Sequence, residues 1–387
     1  MINVDESNCS GCAACAQVCP QKAISMTLNA NGFLLPVVNN TKCVNCGLCI
    51  KSCPLKNKLE KNAVVAAYAA LSHSKESNNS TSGGMFYEIA RCYIDEGGVV
   101  FGAAYDEDLS VNIVRADKLD DLRKIQGSKY VQGNTLDTYH QAKEFLRDNV
   151  KVFYSGTPCQ IAGLLAYLKN MDVSNLLTGE IICHGVMSPQ FFKDYIKWIE
   201  ANERKKIVDY KFRTKNADSK KDFQCELEFE NGEKKIISGF RDPYYQIFMN
   251  SNSLRKSCYN CEFSSSDRVA DLTLGDFWNI EDLNYSKIKN GRVSALICNS
   301  KKGLEVVDKI SNHSSLWEVD YAVVRRGNSN LSRATSVPID YFEYSSVDNT
   351  DNFFKEWKSK KSNIKKEKFN NLPLILRYLI KKVRRLV

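Results

Sequence analysis

Cysteine is the residue type best suited to chemistry in this 387-residue sequence, and eight of its fifteen cysteines form a repeat near the N-terminus. The run Cys9-x2-Cys12-x2-Cys15-x3-Cys19-Pro20 returns as Cys43-x2-Cys46-x2-Cys49-x3-Cys53-Pro54. Three closely spaced thiolates can wrap a cubane cluster, while the cysteine before proline serves the other cluster. The repeat therefore predicts two [4Fe–4S] clusters, one held by Cys9, Cys12, Cys15 and Cys53 and the other by Cys43, Cys46, Cys49 and Cys19.

Zinc and disulfides are the alternatives for so many cysteines. Zinc modules usually present two cysteine pairs per ion, whereas each half of this repeat offers a run of three plus one. The first residues include Asp5 and Glu6 and lack the basic and apolar regions of a secretory signal, which predicts a cytoplasmic location. Because cytoplasmic thiols are kept reduced, metal or redox chemistry is expected instead of a disulfide framework.

Four of the other seven cysteines lie in predicted loops. Cys159 and Cys183 follow predicted strands, at the edge where open α/β sheets bind ligands. Cys258 and Cys261 form a Cys-x2-Cys pair, which is half of a metal site. Together they could hold a third [4Fe–4S] cluster or zinc, or share no metal. A reactive role for Cys159 is a weaker alternative, because no base lies near it in sequence.

The remaining three cysteines, Cys92, Cys225 and Cys298, fall within apolar helix or strand patterns. A free cysteine in such a pattern behaves as a small core residue. We therefore expect them to be buried and not to be ligands.

The hydrophobic pattern C-terminal to the cysteine repeat predicts a mixed fold of α+β and α/β type. Strands and helices alternate from residue 63, and an alternating stretch at 207–237 closes at Asn231-Gly232 as an antiparallel hairpin. We predict a two-cluster ferredoxin-like domain at 1–58, α/β regions at 63–150 and 151–325, and a linker with a basic helical tail at 326–387.

A Ser/Gly loop at residues 80–84 precedes a predicted helix. Its backbone N–H groups could approach a phosphate, although a serine-capped helix with a flexible start is the more common meaning of this pattern. The sequence contains neither a GxGxxG nor a P-loop motif, so a standard dinucleotide fold and nucleotide hydrolysis are not supported.

Five motifs in order resemble the coenzyme F(420) hydrogenase/dehydrogenase beta-subunit family, in its bacterial form with an N-terminal two-cluster ferredoxin domain. They are Ser-Gly-Gly at 82–84, Gly-Ser-Lys-Tyr at 127–130, Gly-Thr-Pro-Cys-Gln at 156–160, Ile-Cys-His-Gly at 182–185, and Cys-x2-Cys followed by Leu-Gly-Asp-Phe-Trp at 274–278. The resemblance runs from residue 1 to about residue 325. The regions at 63–150 and 151–325 correspond to the N- and C-terminal parts of that family.

The resemblance implies FAD in the α/β region and a third [4Fe–4S] cluster held by Cys159, Cys183, Cys258 and Cys261. It implies candidate flavin-site residues at Ser82, Gly83, Gly84, Ser128, Lys129, Tyr130, Thr157, Gln160 and Asp276. Lys129 and His184 are the candidate catalytic residues, and His184 has an equal interpretation as a loop hydrogen-bonder.

The implied function is an iron–sulfur flavoprotein oxidoreductase that passes electrons between ferredoxin-type clusters and FAD. Its substrate would be a small organic molecule or a deazaflavin-like carrier, with surface polysaccharide metabolism as one setting among relatives. A non-catalytic electron-relay subunit of a larger redox complex is the alternative. Either function implies an electron donor or acceptor, which is a protein or a small redox carrier.

The net charge of +9 is concentrated at the C-terminus. Residues 355–387 carry twelve Lys and Arg against two Glu, which leaves the rest of the chain at about −1. Nucleic acid is therefore not an expected partner. The tail mixes apolar and basic residues and predicts peripheral membrane contact, with a helix docked on the protein or a solvated terminus as the alternatives.

Overall fold

A computed structural model describes residues 2–214, 224–278 and 292–359. The predicted membrane-contacting tail lies outside these residues. Within the described ranges, no helix combines the length and the apolar character that a bilayer-spanning segment requires.

Strands and helices of the described residues are numbered in chain order. The strands are β1 (Ile24–Leu28), β2 (Leu34–Val38), β3 (Ala66–Ser72), β4 (Val99–Tyr105), β5 (Val111–Ala116), β6 (Val152–Gly156), β7 (Leu176–Ile181), β8 (Ile207–Lys211), β9 (Gln224–Phe229), β10 (Lys234–Ser238), β11 (Leu272–Asp276), β12 (Ser294–Cys298) and β13 (Ser314–Glu318). The α-helices are α1 (Ala14–Gln17), α2 (Leu48–Lys51), α3 (Met85–Asp95), α4 (Leu122–Ile125), α5 (Thr138–Arg147), α6 (Pro158–Tyr167), α7 (Pro189–Glu203), α8 (Pro243–Met249), α9 (Lys301–Ile310), α10 (Tyr321–Gly327) and α11 (Thr350–Ser359).

The N-terminal module has the ferredoxin-like arrangement that the repeat predicts. Strands β1 and β2 form an antiparallel hairpin around Asn31-Gly32, where Gly32 has a φ of +71°. Short helices α1 and α2 each overlap a cysteine run and pack against one another. The two halves of the repeat therefore lie side by side.

An eight-stranded mixed sheet forms the centre of the body, in the order β13-β3-β12-β11-β7-β6-β4-β5. Strands β11, β7, β6 and β4 run parallel to one another, and the flanking pairs are antiparallel. The carboxyl ends of β3, β4, β6, β7 and β11 consequently meet at one edge, where ligands bind in sheets of this kind. The predicted mixed α/β fold is confirmed.

A separate three-stranded sheet contains the predicted hairpin. Strands β9 and β10 pair around Gly232, which has a φ of +80°, and β8 pairs with the other side of β9. Cys225, Leu227 and Phe229 are buried, while the residues between them are half-buried, because successive side chains point to opposite faces of the sheet.

An aromatic core joins this small sheet to α7, α8 and α11. Phe191 of α7 stacks on Phe354 of α11 with ring centroids 5.4 Å apart. Phe354 and Trp357 lie in the segment that the sequence predicts as a linker, and both side chains are buried. Burial of two large aromatic side chains fixes α11 on the body.

The N-terminal module is held on the body by polar contacts that are buried or partly buried. The Leu34 N–H donates to the Gln132 side chain over 2.9 Å, and the Gln17 side chain donates to Thr135 Oγ1 over 3.0 Å. The Ser188 hydroxyl donates to the Gly32 carbonyl at the tip of the hairpin over 3.0 Å. These contacts place the first cysteine run against the edge of the large sheet where the parallel strands end.

Candidate iron–sulfur and cofactor sites

The thiols of the first four-cysteine set lie close enough to one another to interact electrostatically. Burial, together with the neighbouring thiols of Cys9 and Cys53, raises the pKa of the Cys15 thiol to about 12. Cys53 and Cys49 of the second run both interact electrostatically with Cys15, so the two runs lie close together, and the crossed assignment of Cys53 stays a prediction. Four thiols brought together in this way need a cationic centre to exist as thiolates.

The second set surrounds a small cavity of its own. Its lining includes all four predicted ligands, Cys19, Cys43, Cys46 and Cys49. Cys19 comes from the first run, which is the reciprocal crossing. Ile24 and Val38 supply an apolar wall, and such a wall limits the access of water to a cluster.

The four later cysteines, Cys159, Cys183, Cys258 and Cys261, line one cavity of about 190 Å³ at the carboxyl edge of the large sheet. Cys9 and Cys53 of the first set line the same cavity. Burial raises the pKa of Cys258 to about 12, and the thiol of Cys261 adds to this effect. Burial likewise raises the pKa of Cys159 to about 11, although the Thr157 hydroxyl opposes the shift.

Two donors in this cavity test whether an iron–sulfur cluster fits it. Arg255 is 1% exposed, and its Nη2 has no hydrogen-bond partner among the described residues. The Ser10 hydroxyl is buried beside the Cys159 thiol, whose pKa it lowers, and has no oxygen or nitrogen partner within the described ranges. Leaving a donor buried without an acceptor costs about 1–3 kcal/mol. The sulfur atoms of a cluster are acceptors of the required kind, so the cavity suits a cluster with four thiolate ligands.

Thr157 and Gln160 begin helix α6 and thereby position Cys159. The Gln160 Oε1 accepts from the Thr157 backbone N–H over 3.0 Å, and Pro158 occupies the first turn. The Gln160 Nε2 donates to the Gly133 carbonyl over 3.0 Å. Thr157 lines the cysteine cavity, and its hydroxyl lies 3.2 Å from the Cys159 sulfur. Gln160 is buried and all of these contacts are internal, so its side chain serves the helix start.

A buried ion pair fixes the loop that carries Cys258 and Cys261. Arg268 is 2% exposed and pairs with Glu180 of β7, which is fully buried. The Arg268 Nη1 also donates to the carbonyls of Phe263 and Ser265, each over 3.0 Å. The loop is therefore tied to the large sheet, three residues before Cys183.

His184 lines the cysteine cavity next to Cys183. Its Nε2 lies 2.9 Å from the Ser251 hydroxyl, and its ring packs edge-on against Phe248 at 5.2 Å. Burial lowers the pKa of His184, which favours the neutral imidazole. The residue is thus a loop hydrogen-bonder that also borders the cavity.

The Ser/Gly loop follows β3 at the same edge of the sheet. A Cβ atom on Gly83 would overlap the carbonyl oxygen of Ala70, and Gly84 has a φ of +90° at the start of α3. Both glycines are therefore required by the backbone whether or not a ligand binds. The Ser82 hydroxyl donates to the Val293 carbonyl over 3.1 Å.

The second flavin candidate segment contacts this loop. The Ser128 N–H donates to the Thr81 hydroxyl over 2.8 Å. Ser128 and Lys129 line a separate cavity of about 260 Å³, whose other charged residues are Arg123, Lys124, Asp209, Lys211 and Arg213. An excess of cations with one carboxylate suits an anionic ligand.

Lys129 has internal partners within that cavity. Its Nζ donates to the Gln126 carbonyl over 2.9 Å and to the Lys124 carbonyl over 3.3 Å, at the end of α4. The ammonium also lies 5.5 Å from the centre of the Tyr105 ring. Burial lowers the pKa of Lys129 to about 8, and the carboxylate of Asp209 opposes the shift.

Tyr130 and Asp276 lie near the same cavity. Asp276, at the end of β11, pairs with Arg213 over 2.5 Å. Tyr130 stacks on Phe248 at 4.2 Å, and Phe248 contacts His184. A continuous aromatic contact thus connects the cation-rich cavity with the cysteine cavity.

The predicted site residues fall into two groups. The cysteine cavity includes Thr157 and His184, whereas the cation-rich cavity and its surroundings include Ser82, Ser128, Lys129, Tyr130 and Asp276. Arg255, Arg268 and Glu180 were not predicted from the sequence. Their only signals were an arginine three residues before Cys258, another seven residues after Cys261, and an acidic residue within an apolar strand.

No group of three or more His, Cys, Asp or Glu within the described ranges is arranged to hold a single metal ion. Cys225 and Cys298 are buried as expected, whereas Cys92 is more exposed than expected. Cys225 and Cys298 are fully buried in strands, and Cys92 is half-buried on α3.

The fold and the cysteine sites define an iron–sulfur electron-transfer protein. Residues 8–57 match a family model described as a 4Fe-4S dicluster domain, which confirms the predicted iron–sulfur module. Residues 150–322 match a family model for the C terminus of the coenzyme F420 hydrogenase/dehydrogenase beta subunit. The chain therefore carries the C-terminal domain of the F420 hydrogenase/dehydrogenase beta-subunit family behind a dicluster domain, and the resemblance found in the sequence is confirmed.

A solved structure is also similar. A chain of the F420-reducing [NiFe] hydrogenase complex from Methanosarcina barkeri aligns with a TM-score of 0.44 and 16% identity, over 79% of this chain and 92% of that chain. No curated protein matched the chain.

Proposed function

We propose that this protein is an iron–sulfur flavoprotein oxidoreductase. Electrons would pass between the two clusters of the N-terminal module, a third cluster in the cysteine cavity and FAD in the body. The final exchange would be with a small organic substrate or a deazaflavin-like carrier.

One observation carries this proposal: the cavity lined by the four later cysteines is also lined by Cys9 and Cys53 of the N-terminal module. The thiols of Cys12 and Cys159 are likewise close enough to interact electrostatically. Single-electron transfer requires cofactors in close succession. A cysteine set without a redox role would have no reason to adjoin a cluster in this way.

The cation-rich cavity supports a site for FAD. Arg123, Lys124, Lys129 and Lys211 would attract the pyrophosphate, and the backbone around Ser128 would fix the loop against residues 80–84. Bound flavin would supply the conversion between one-electron and two-electron transfer. The residues of the chain would bind it, orient it and exclude water.

The neutral imidazole of His184 would hold a proton between the cysteine cavity and the aromatic contact through Phe248. Ser251 fixes the position of Nε2. His184 is therefore proposed to orient donors near the redox groups, and Lys129 to hold positive charge near the flavin.

The second candidate function is an electron-relay subunit of a larger redox complex. It is favoured by the hydrogen bonds that Lys129 and Gln160 make within the protein, because these bonds use side-chain donors that would otherwise contact a flavin. In that case a partner protein would supply the substrate site. Surface polysaccharide metabolism and the F420-type carrier remain proposals for the first function.

The deciding experiment is anaerobic purification followed by measurement of iron, acid-labile sulfide and released flavin per chain. Three cubane clusters give about twelve irons, and the enzyme proposal adds about one FAD. About twelve irons without flavin, after reconstitution with FAD, would favour the relay. About eight irons would reject the third cluster.

A further inference from the structure

We propose that Arg255 is a shared electrostatic residue of two adjacent clusters and raises the reduction potential of both. The two clusters are the one predicted at Cys9, Cys12, Cys15 and Cys53 and the one proposed at Cys159, Cys183, Cys258 and Cys261. The inference rests on the proposed function, because it requires the third cluster.

The guanidinium of Arg255 lies between the two cysteine sets. Its Nε donates to the Cys9 carbonyl over 2.7 Å, and its Nη1 donates to the Leu34 carbonyl over 3.2 Å. Its Nη2 has no partner among the described residues, and Arg255 lines the cavity of the later four cysteines. One side of the guanidinium thus binds the first cluster loop, and its remaining donor is available in a residue that lines the cavity of the later four cysteines.

The backbone of Arg255 is fixed by two of the three segments that carry third-site cysteines. Its N–H donates to the Val186 carbonyl over 3.0 Å, and its carbonyl accepts from the Cys258 N–H over 2.8 Å. The guanidinium also lies 5.5 Å from the centre of the Phe33 ring. The charge is therefore held in place and does not sample solvent.

The other charged residues of the cavity cannot play the same part. Arg268 is paired with the buried carboxylate of Glu180, so that its charge is compensated. The remaining charged residues of the lining are exposed, where water screens them. They are Asp5, Lys56 and Glu262.

A fixed cation changes the energetics of cluster reduction. Reduction adds one negative charge to a cluster, and a nearby positive charge in a poorly polarisable interior stabilises that charge. Net charge and hydrogen bonds to sulfur are known to set cluster potentials. Arginine stays protonated at any working pH, so this contribution is constant.

The experiment measures midpoint potentials of anaerobically purified full-length protein by redox titration followed with EPR. The variants are Arg255→Gln and Arg255→Met, which remove the charge, and Arg255→Lys, which keeps it. Lys56→Gln is the control for an exposed cation that lines the same cavity. Iron and acid-labile sulfide are counted for every variant.

We expect the two neutral variants to lower two midpoint potentials, with about a tenfold fall in the reduced-to-oxidised ratio at a fixed potential (about 59 mV for one electron). The Lys variant should stay within about threefold of the wild type. The cluster at Cys19, Cys43, Cys46 and Cys49 is an internal control, because none of the described contacts of Arg255 involves these residues.

Unmoved potentials in neutral variants with about twelve irons would overturn the role of Arg255, as would equal shifts of all three potentials. If both neutral variants lose the third cluster, retention in the Lys variant supports the proposal. Loss in all three variants overturns it in favour of a packing role. About eight irons in the wild type would instead reject the third cluster itself.

Discussion

The side chain of Cys12 packs directly on Gly163, so that a Cβ atom on Gly163 would lie 3.0 Å from the Cys12 sulfur. Gly163 belongs to α6, whose first turn contains Cys159. One helix therefore contacts a predicted ligand of the first cluster and carries a proposed ligand of the third. The absence of a side chain at position 163 sets how closely the two sites approach.

Gly163→Ala tests this close approach. The added methyl group would crowd the Cys12 side chain and would lie 2.9 Å from the Tyr139 hydroxyl. Overpacking of this kind costs about 1–3 kcal/mol, and we expect the unfolding free energy measured in denaturant to fall by that amount. Spin coupling between clusters, seen by EPR in the reduced protein, should weaken as well.

Tyr139→Phe and the double variant separate the two contacts of that methyl group. The Tyr139 hydroxyl lies 2.8 Å from the Gln160 carbonyl and 3.0 Å from the Cys12 carbonyl. If crowding at the hydroxyl dominates, the double variant will be no less stable than Tyr139→Phe alone. Wild-type stability and unchanged spin coupling in Gly163→Ala would contradict the proposed contact.

The third cysteine set makes a prediction about iron content. Cys159→Ser or Cys258→Ser should lower the iron count from about twelve to about eight per chain, because a cubane cluster with three thiolates is lost easily. Cys92→Ser is the matched control, since Cys92 is half-buried on α3 and outside the three predicted sets. Equal iron in all three variants would remove these cysteines from the ligand list.

The buried pair of Arg268 and Glu180 makes a prediction about stability. Arg268→Ala leaves a buried carboxylate without its cation and frees the carbonyls of Phe263 and Ser265, so we expect a loss of about 3–5 kcal/mol in unfolding free energy. The double variant Arg268→Met with Glu180→Leu should recover most of that loss. Denaturant titrations of the single and double variants measure these unfolding free energies.

An ion pair on the protein surface is the control for these stability measurements. Lys205 and Glu233 pair at the protein surface, and removing Lys205 should change stability by less than about 1 kcal/mol. A loss of less than about 1 kcal/mol in Arg268→Ala would show that the pair does not anchor the loop.

Local sequence patterns were sufficient for most of the elements. The predicted strand at 99–105 coincides with β4, and Ser188-Pro189 begins α7 with the Ser188 hydroxyl accepting from the Phe191 N–H. The repeat also predicted that Cys19 belongs with Cys43, Cys46 and Cys49, and these four cysteines line one cavity. These features depend on spacing within short segments, which a sequence displays directly.

Contacts between segments that are distant in sequence could not be predicted from local patterns. Nothing in the pattern around Arg255 indicates a bond to the Cys9 carbonyl 246 positions away. Gln160 was predicted beside the flavin because it lies in a motif that resembles the family, yet its side chain caps the N-terminus of α6. A motif identifies which residues matter, but only the packing of the chain decides whether they contact a ligand or support the fold.

Lys129 makes a prediction about pH. Burial lowers the pKa of this residue to about 8, so the free protein loses the charge as the pH rises through that value. If the ammonium helps to hold an anionic flavin, the Kd for FAD should be constant below pH 8. Above it, the Kd should rise, approaching roughly tenfold per pH unit. Equilibrium titration of deflavinated protein with FAD by flavin fluorescence measures this directly.

Two substitutions in the cation-rich cavity give that titration its controls. Below about pH 8, Lys129→Gln should bind FAD more weakly than the wild type, the difference should narrow as the pH rises above 8, and the variant should show no break there, while Asp209 and Tyr105 keep their places beside the site. Lys124→Gln should retain the break, because Lys124 is exposed and pairs with Asp121. A break that persists in Lys129→Gln would assign the titration to another group, and FAD affinity equal to that of the wild type would leave Lys129 as a cap on α4 alone.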